Sequence, residues 1–285
     1  MTDGGVMKHG FTITAPTTKI PSNSMPDGAL TGNGDLSVVW SSTTSDRIRF
    51  YIGKVDFWKA SPIPETGGGH VPLGIIEVLV PHLPYSDYHI EEDIDNATLT
   101  GIFGDGIMDF KLKAVVCATE NTILLEMDRS APGLSVSVGL IPLSGNGAEC
   151  EHKSIGNIEY ATRNFKGEGL YFDTESIYVL REVSTRRENG REITRWSIHV
   201  STNHDSAAYR ENAINAAEAM DGERFDRLLA AHAAWWRRFW SVSSLELEDK
   251  ELENHWYMGL YMMACCSRNK KFAPGLWVTS QRRTV

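Results

Sequence analysis

The sequence has few cysteines, no long apolar run and a minority of basic residues. None of its four cysteines lies in a C-x-x-C spacing, which favours reduced, buried thiols over a metal site or a disulfide framework. No apolar segment approaches the roughly 20 residues that cross a bilayer, so a membrane protein is not expected. Lysine and arginine number 28 against 37 acidic residues, for a net charge of -9. Such a surface repels phosphates, and no nucleic-acid or membrane partner is predicted.

The first ten residues also contain no apolar stretch. No signal peptide is therefore predicted, although a signal that had been removed would leave the same sequence. The cytoplasm is the expected location if this N terminus is native, and free thiols suit a reducing compartment.

Short alternating runs dominate the chain before Asn203. In residues 47–52, isoleucine and phenylalanine alternate with arginine and tyrosine, so the apolar side chains share one face of an extended strand. About a dozen such runs, separated by turn residues, are typical of antiparallel sheets stacked as a sandwich. A mainly β fold is predicted, with an all-β domain over residues 1–203.

After Asn203 the apolar period becomes helical. A wide apolar and aromatic stripe predicts one helix within residues 221–240. A second helix is predicted over 249–267, with Asp249 as its N-cap. Its expected apolar face consists of Leu252, Trp256, Leu260, Met263 and Cys266. Because the residues that follow do not cover this face, we expect the sandwich of the same chain or a second copy, as a homodimer, to cover it.

Recognisable catalytic, metal and phosphate motifs are absent. The histidines form no HExxH pattern, and no Ser-His-Asp or Cys-His arrangement can be identified. The carboxylate run 91–93 would alternate faces on a strand, so it is interpreted as a solvated edge. The segment 32–35 (GNGD) lacks the lysine of a P-loop and is interpreted as a tight turn. No metal and no cofactor are predicted.

The eight tryptophans are more suggestive. Most of them are expected to lie in the core. Aromatic faces also stack on the apolar C–H patch of a sugar ring, so carbohydrate binding is kept as the less favoured alternative for them. Carbohydrate becomes the predicted partner only through the resemblance given next.

Several stretches taken together resemble bacterial glycoside hydrolases. Residues 30–36 (LTGNGDL) followed by 50–58 (FYIGKVDFW) resemble the opening of proteins akin to glycoside hydrolase family 95, the α-L-fucosidase group. The second of these is closer to an uncharacterised sister group. Residues 232–240 (HAAWWRRFW), 252–257 (LENHWY) and 273–277 (APGLW) are similar to the linker and first barrel helix of the same superfamily, which includes relatives of family 65.

This resemblance covers the chain from about residue 20 to residue 277. It implies an N-terminal β-supersandwich (1–203), a helical linker (204–248) and the first helix of an (α/α)6 catalytic barrel (249–285). The family's catalytic acid and base lie inside the barrel, at positions that this sequence does not contain. A whole barrel needs at least ~200 further residues, so the chain is expected to be a truncated portion that is inactive alone.

Four residues are candidates for lining a sugar site: Asn33, Asp35, Trp58 and Trp277. Each has an alternative role in turn formation or core packing. The first functional hypothesis is the non-catalytic N-terminal portion of a glycoside hydrolase, whose full enzyme would use an inverting two-carboxylate mechanism. The alternative is a stand-alone carbohydrate-binding or structural module that has lost its barrel.

Overall fold

A computed structural model describes most of the chain. It covers residues 9–16, 28–42, 44, 46–62, 68–81, 87–104, 109–130 and 135–274. Sixteen β-strands and three α-helices lie within these ranges. The mainly β character predicted from the alternating pattern is therefore confirmed.

The strands fill the first two thirds of the chain. In order they are β1 (Gly10–Ile13), β2 (Ala29–Gly32), β3 (Leu36–Trp40), β4 (Arg47–Lys54), β5 (Trp58–Lys59), β6 (Gly69–His70), β7 (Gly74–Leu79), β8 (Asp87–Asp93), β9 (Thr98–Gly104), β10 (Asp109–Val116), β11 (Thr122–Arg129), β12 (Ser137–Pro142), β13 (Glu149–Ile155), β14 (Ile158–Phe165), β15 (Thr174–Glu188) and β16 (Arg191–Thr202). All of the strand pairings are antiparallel.

Two sheets stack face to face. The larger has nine strands in the order β1-β8-β9-β10-β11-β16-β15-β14-β13, and the smaller has five in the order β12-β7-β4-β3-β2. Ile48, Phe50 and Ile52 of β4 are fully buried in one cluster with Leu112 and Leu125 of the larger sheet. The alternation in residues 47–52 thus marks a sandwich core. A two-stranded ribbon, β5-β6, completes the described strands.

Three helices follow the strands: α1 (Tyr209–Glu218), α2 (Gly222–Trp240) and α3 (Lys250–Cys266). Helix α1 packs on β15 and β16 of the larger sheet. The predicted N-cap of α3 is confirmed, because the Asp249 carboxylate accepts hydrogen bonds from the backbone N–H groups of Glu251 and Leu252. Within the described ranges, no helix combines the length and apolarity that a membrane crossing requires.

Helices α2 and α3 meet around the fully buried indole of Trp236. Its ring lies 5.0 Å from that of Trp235, 5.3 Å from Phe239 and 5.3 Å from Tyr261, measured between centroids. The same cluster includes Leu30 of β2. The helix pair therefore covers part of the smaller sheet on the side opposite the sandwich core.

The buried face of α3 differs from the predicted one. It consists of Glu253, Tyr257, Met258, Tyr261, Ala264, Cys265 and Cys266. Of the predicted stripe only Cys266 is buried, whereas Leu252 and Met263 are exposed. The prediction was wrong because apolar residues occur all round this helix and the spacing alone does not say which of them meet the sheet. The homodimer through helix 249–267 stays a prediction.

The carboxylate run 91–93 is not a solvated edge. Strand β1 pairs with β8 and places Phe11 opposite Glu92, so β8 is an inner strand of the sheet. Glu92 is 1% exposed, and its carboxylate accepts a hydrogen bond from the backbone N–H of Leu30 at 3.1 Å. The sequence interpretation was therefore wrong for Glu92.

Side chains satisfy the backbone of Leu30 in the edge strand β2. Its N–H is bound by Glu92, as above, and its carbonyl accepts a hydrogen bond from the hydroxyl of Tyr261 at 2.9 Å. Tyr261 is fully buried. This contact joins α3 to the edge of the smaller sheet.

Replacing Tyr261 with phenylalanine should destabilise the fold. The substitution leaves the buried carbonyl of Leu30 without its hydroxyl donor, at a cost of about 1–3 kcal/mol. Chemical denaturation should show a lower free energy of unfolding for Tyr261→Phe. The matched control is Tyr171→Phe, since Tyr171 is 75% exposed, and it should be indistinguishable from the parent. Equal values for the two variants would contradict the assigned role of this hydroxyl.

Two buried histidines should make stability depend on pH. Burial lowers the pKa of His232 to about 4 and that of His199 to about 3. His232 donates from Nε2 to the carbonyl of Asn96 at 2.8 Å. In the unfolded chain histidine binds its proton near pH 6.5, whereas in the folded chain these two histidines stay neutral to lower pH. The unfolded state then binds more protons, so stability should fall as the pH drops from about 6.5 towards 4.

Denaturation between pH 7.5 and 4.5 measures this slope. His232→Gln should flatten it, whereas Val242→Ala, at an 82% exposed position without a titratable group, should leave it unchanged. A parent protein of constant stability over this interval would overturn the assignment.

Candidate functional site

A polar pocket of about 450 Å³ opens at one end of the sandwich. Five segments form its walls: the GNGD turn before β3, the turn after β4, the β10–β11 hairpin, the turn after β16 and the segment after α3. The lining residues are Asn33, Asp35, Asp56, Ala118, Thr119, Glu120, Asn121, His204, Asp205, Arg268, Asn269, Lys270, Lys271 and Phe272. This concentration of amides and carboxylates beside an aromatic ring makes it the candidate site.

The glycines of the GNGD turn let α3 reach the pocket. The N–H of Gly34 donates to the carbonyl of Cys265, and the N–H of Arg268 donates to the carbonyl of Gly34, both at 2.9 Å. Gly34 has φ +85°, and a β-carbon there would lie 2.2 Å from the Arg268 side chain. The tight-turn interpretation is confirmed, and the turn also brings residues 268–272 to the site.

Asn33 fastens this turn to the neighbouring hairpin. Its side-chain NH2 donates to the carbonyls of Cys117 and Glu120 at 3.0 and 3.1 Å. Its side-chain oxygen accepts from the N–H groups of Asp35 and Leu36 at 3.0 and 2.8 Å. Asn33 thus lines the pocket, but its hydrogen-bonding groups are occupied by the protein.

A buried ammonium group lies behind the pocket. Lys54, the last residue of β4, is fully buried, and its Nζ lies 3.0 Å from Asp35, 2.7 Å from Asp56 and 3.1 Å from Asp205. Burial alone would lower the pKa of Lys54. The carboxylates of Asp56, Asp35 and Asp205 outweigh it and hold the pKa above its ordinary value. Lys54 is therefore charged, and three acidic groups share one cation.

The environments of Asp35 and Asp56 push their pKa values apart. Both are raised by burial, but for Asp35 the charge of Lys54 and hydrogen bonds from Asn269 and Asn121 give a net lowered pKa. For Asp56 burial outweighs the attraction of Lys54, and the pKa is raised. The two carboxyl groups thus differ in acidity although they share one ammonium.

The two carboxyl oxygens of Asp56 differ in their hydrogen bonding. Its Oδ2 accepts hydrogen bonds from Lys54 Nζ at 2.7 Å and from the hydroxyl of Thr202 at 2.9 Å. Its Oδ1 is buried and has no hydrogen-bond partner among the described residues. A buried polar atom without a partner is costly, and Asp56 lines the pocket. A hydroxyl-bearing ligand in the pocket is a suitable partner for this oxygen.

Two aromatic side chains, His204 and Phe272, also line the pocket. The ring of His204 lies 5.0 Å from that of Phe272 and 5.4 Å from that of Phe172, between centroids. His204 is also within 3.3 Å of the Thr174 hydroxyl, and burial lowers its pKa. These side chains therefore form an uncharged aromatic surface near neutral pH.

Two basic residues of the pocket, Arg268 and Lys271, also contact other groups of the protein. Arg268 donates to the carbonyl of Ala118 at 2.9 Å, and its guanidinium lies 3.9 Å from the ring centroid of Trp235. Lys271 contacts the carbonyl of His204 at 3.4 Å. Among the described residues, no group of three or more His, Cys, Asp or Glu side chains is arranged to hold a metal.

The structure brings together two of the four predicted site residues. Asn33 and Asp35 line the pocket, whereas Trp58 does not. Trp58 is half-buried in the β5-β6 ribbon, where its indole N–H donates to the carbonyl of Val55 at 2.7 Å and its ring contacts His70. Trp277 lies outside the described residues.

Sequence reasoning missed the buried Lys54 and its partners Asp56 and Asp205. One signal was present. A lysine that ends an apolar strand, two residues before an aspartate, places both side chains on the same side of the extended chain. The contribution of Asp205 had no local signal, since it lies 151 residues from Lys54.

Removing the buried ammonium should strongly destabilise the fold. Lys54→Met leaves three carboxylates without their cation, and losing one partner of a buried ion pair costs about 3–5 kcal/mol at neutral pH. The free energy of unfolding from denaturant titration measures the effect. Lys153→Met removes an exposed lysine that pairs with Glu151 and should leave the unfolding midpoint unchanged. A Lys54→Met variant as stable as the parent would contradict the role of the cluster.

The comparisons with known proteins show likeness in fold. No family model and no curated protein matches the sequence. Solved structures do match. A protein assigned as a kojibiose phosphorylase, from the human microbiome, has a TM-score of 0.60 at 11% identity over 90% of this chain and 41% of its own.

Two further structures match less well. A bacterial glucoamylase complexed with acarbose has a TM-score of 0.44 at 8% identity, over 91% of this chain and 44% of its own. The family GH92 α-mannosidase from Bacteroides thetaiotaomicron, in complex with mannoimidazole, has 0.34 at 12% identity, over 85% and 38%. The chain spans less than half of each of these proteins, and it shares the fold of the corresponding part of the phosphorylase.

Proposed function

We propose that this chain is the non-catalytic N-terminal portion of a carbohydrate-active enzyme of the glycoside hydrolase type, and that its pocket contacts a sugar. The likeness of fold to a kojibiose phosphorylase, over 90% of this chain, supports the enzyme class. The observation that carries the sugar contact is the pocket itself, which is lined by carboxylate and amide groups together with the ring of Phe272.

The chemistry of the pocket suits a sugar. Sugar hydroxyls donate to carboxylate and amide oxygens, and the apolar C–H side of the ring packs on aromatic rings. Asp35 and Asp205 are held in place by Lys54, while Phe272 supplies the ring. The volume of about 450 Å³ lies in the range of roughly 300–1,000 Å³ for small-molecule sites. The unpartnered Oδ1 of Asp56 gives the pocket a further acceptor.

The same geometry argues against an inverting catalytic pair made of Asp35 and Asp56. Inverting hydrolysis needs two carboxyl groups roughly 6.5–9.5 Å apart, so that a water molecule fits between them and the sugar. The nearest oxygens of Asp35 and Asp56 lie within 3.0 and 2.7 Å of the same Lys54 nitrogen, which holds them closer than that. In this proposal the acid and base belong to the remainder of the enzyme.

The proposed substrate class is α-L-fucosides, which rests on the sequence resemblance to the fucosidase group. Residues 30–36 and 50–58 carry that resemblance, and they contain Asp35, Lys54 and Asp56. The motif and the pocket therefore coincide in the chain.

Calorimetry and a chromogenic assay test this function. The purified chain should bind L-fucose or 2′-fucosyllactose, with kojibiose and D-glucose as comparison sugars, and should not hydrolyse 4-nitrophenyl α-L-fucopyranoside. Phe272→Ala should weaken binding by roughly tenfold, because it removes the stacking ring. Val242→Ala, at an 82% exposed position, is the control and should bind like the parent.

The results test the sugar contact and the non-catalytic assignment separately. Absence of binding for all four sugars would remove the sugar contact from the proposal. Turnover by the chain that Phe272→Ala diminishes would show a catalytic pocket and overturn the non-catalytic assignment.

A stand-alone carbohydrate-binding module is the second candidate. It is favoured by the buried cation Lys54, which already holds the pocket carboxylates Asp35, Asp56 and Asp205 in place within this chain. Binding that is equally tight in this chain and in a longer protein containing it would support the module. A marked gain in the longer protein would support the enzyme portion.

A further inference from the structure

An aromatic strip leads outward from the pocket. Phe272 and His204 both line the pocket and contact each other, and Phe172 contacts His204. Tyr171 is next to Phe172 in the chain. Phe172 is 41% exposed and Tyr171 is 75% exposed, so both side chains are open to solvent.

The backbone that carries these two rings is anchored. The N–H of Tyr171 donates to the carbonyl of Ala60 at 2.8 Å. The carbonyl of Asp173 accepts from the side-chain NH2 of Asn203 at 3.0 Å, and the Asp173 carboxylate accepts from the N–H of Gly167 at 3.1 Å. Leu170 packs against the sandwich core. The rings are therefore displayed by a fixed segment.

Displaying two adjacent aromatic rings to water needs an explanation. Exposed apolar groups in contiguous patches mark binding surfaces, whereas single exposed ones do not. Here the patch continues into a pocket lined by hydroxyl-binding groups. A ligand that is polar at one end only would not contact both the pocket and the aromatic strip. A chain of neutral sugar rings would place one ring in the pocket and further rings on the strip.

We propose that Tyr171 and Phe172 form an outer subsite for the second and later rings of a neutral oligosaccharide whose terminal ring occupies the pocket. This inference rests on the proposed function, since it takes the pocket as a sugar site. It adds that the preferred ligand is an oligosaccharide, and that the added rings stack on the strip through their C–H faces.

Calorimetry with two matched ligand pairs tests the subsite. L-fucose is compared with 2′-fucosyllactose, and D-glucose with maltotetraose. In at least one pair the oligosaccharide should bind roughly tenfold more tightly than its monosaccharide, as expected for one or two stacked rings. Tyr171→Ala and Phe172→Ala should abolish this gain while monosaccharide affinity stays within about twofold.

The control is Ile155→Ala, which shortens a 56% exposed side chain. Ile155 lies at the turn between β13 and β14, whereas residues 171 and 172 follow the other end of β14. This control variant should keep the full oligosaccharide gain. Unfolding midpoints of all three variants should match that of the parent, because the altered side chains are exposed.

The outcomes separate this inference from the function it rests on. Monosaccharide binding without any gain for the longer ligand, or a gain that survives both aromatic substitutions, overturns the subsite and leaves the pocket proposal intact. Failure of all four ligands to bind overturns both.

Discussion

The ammonium group of Lys54 determines how the pocket end of this molecule is assembled. One cation draws together carboxylates from the turn before β3, the turn after β4 and the turn after β16. Taking these charges out of water is costly, and hydrogen bonds to the carboxylate oxygens offset part of that cost. Asn121, Asn269 and Thr202 donate such hydrogen bonds. The cluster therefore fixes the positions of segments that are distant in sequence.

The same end of the molecule also receives the helices. The N–H of Gly34 donates to the carbonyl of Cys265 in the last turn of α3, and the carbonyl of Gly34 accepts from the N–H of Arg268, just after the helix. Asn269 of the same segment donates from its side chain to Asp35 at 2.8 Å. The sandwich and the helical part are thus joined through the walls of the pocket itself. A change in the position of α3 would be transmitted to the site directly, without a chain of intervening contacts.

Much of the fold follows from sequence periodicity, whereas most of the site does not. Alternation in strands such as β4 and the three- to four-residue spacing in α2 are local properties, and a cap such as Asp249 is recognised from its own neighbours. The buried side of α3 depends on which surface it meets, and its spacing pattern did not settle that.

The pocket shows the same limit. Asn33 and Asp35 were found because they lie in one short motif. Asp205 and Asn269 join them only through tertiary contacts, which no local pattern records. Trp58 was chosen because it ends the motif 50–58 and is aromatic, and its indole N–H is used within its own turn. The presence of a motif says nothing about which side chains remain available to a ligand.

The hydrogen bonds at Leu30 have a consequence for strand addition at this edge of the smaller sheet. An open strand edge presents backbone donors and acceptors on which another chain can add a strand. At the edge strand β2 the N–H and carbonyl of Leu30 are occupied by Glu92 and Tyr261. Helix α3 therefore blocks the addition of another strand at Leu30. A shorter piece of the chain that ends before α3 would leave the carbonyl of Leu30 open to pairing with a strand of another chain, the contact from which fibres grow.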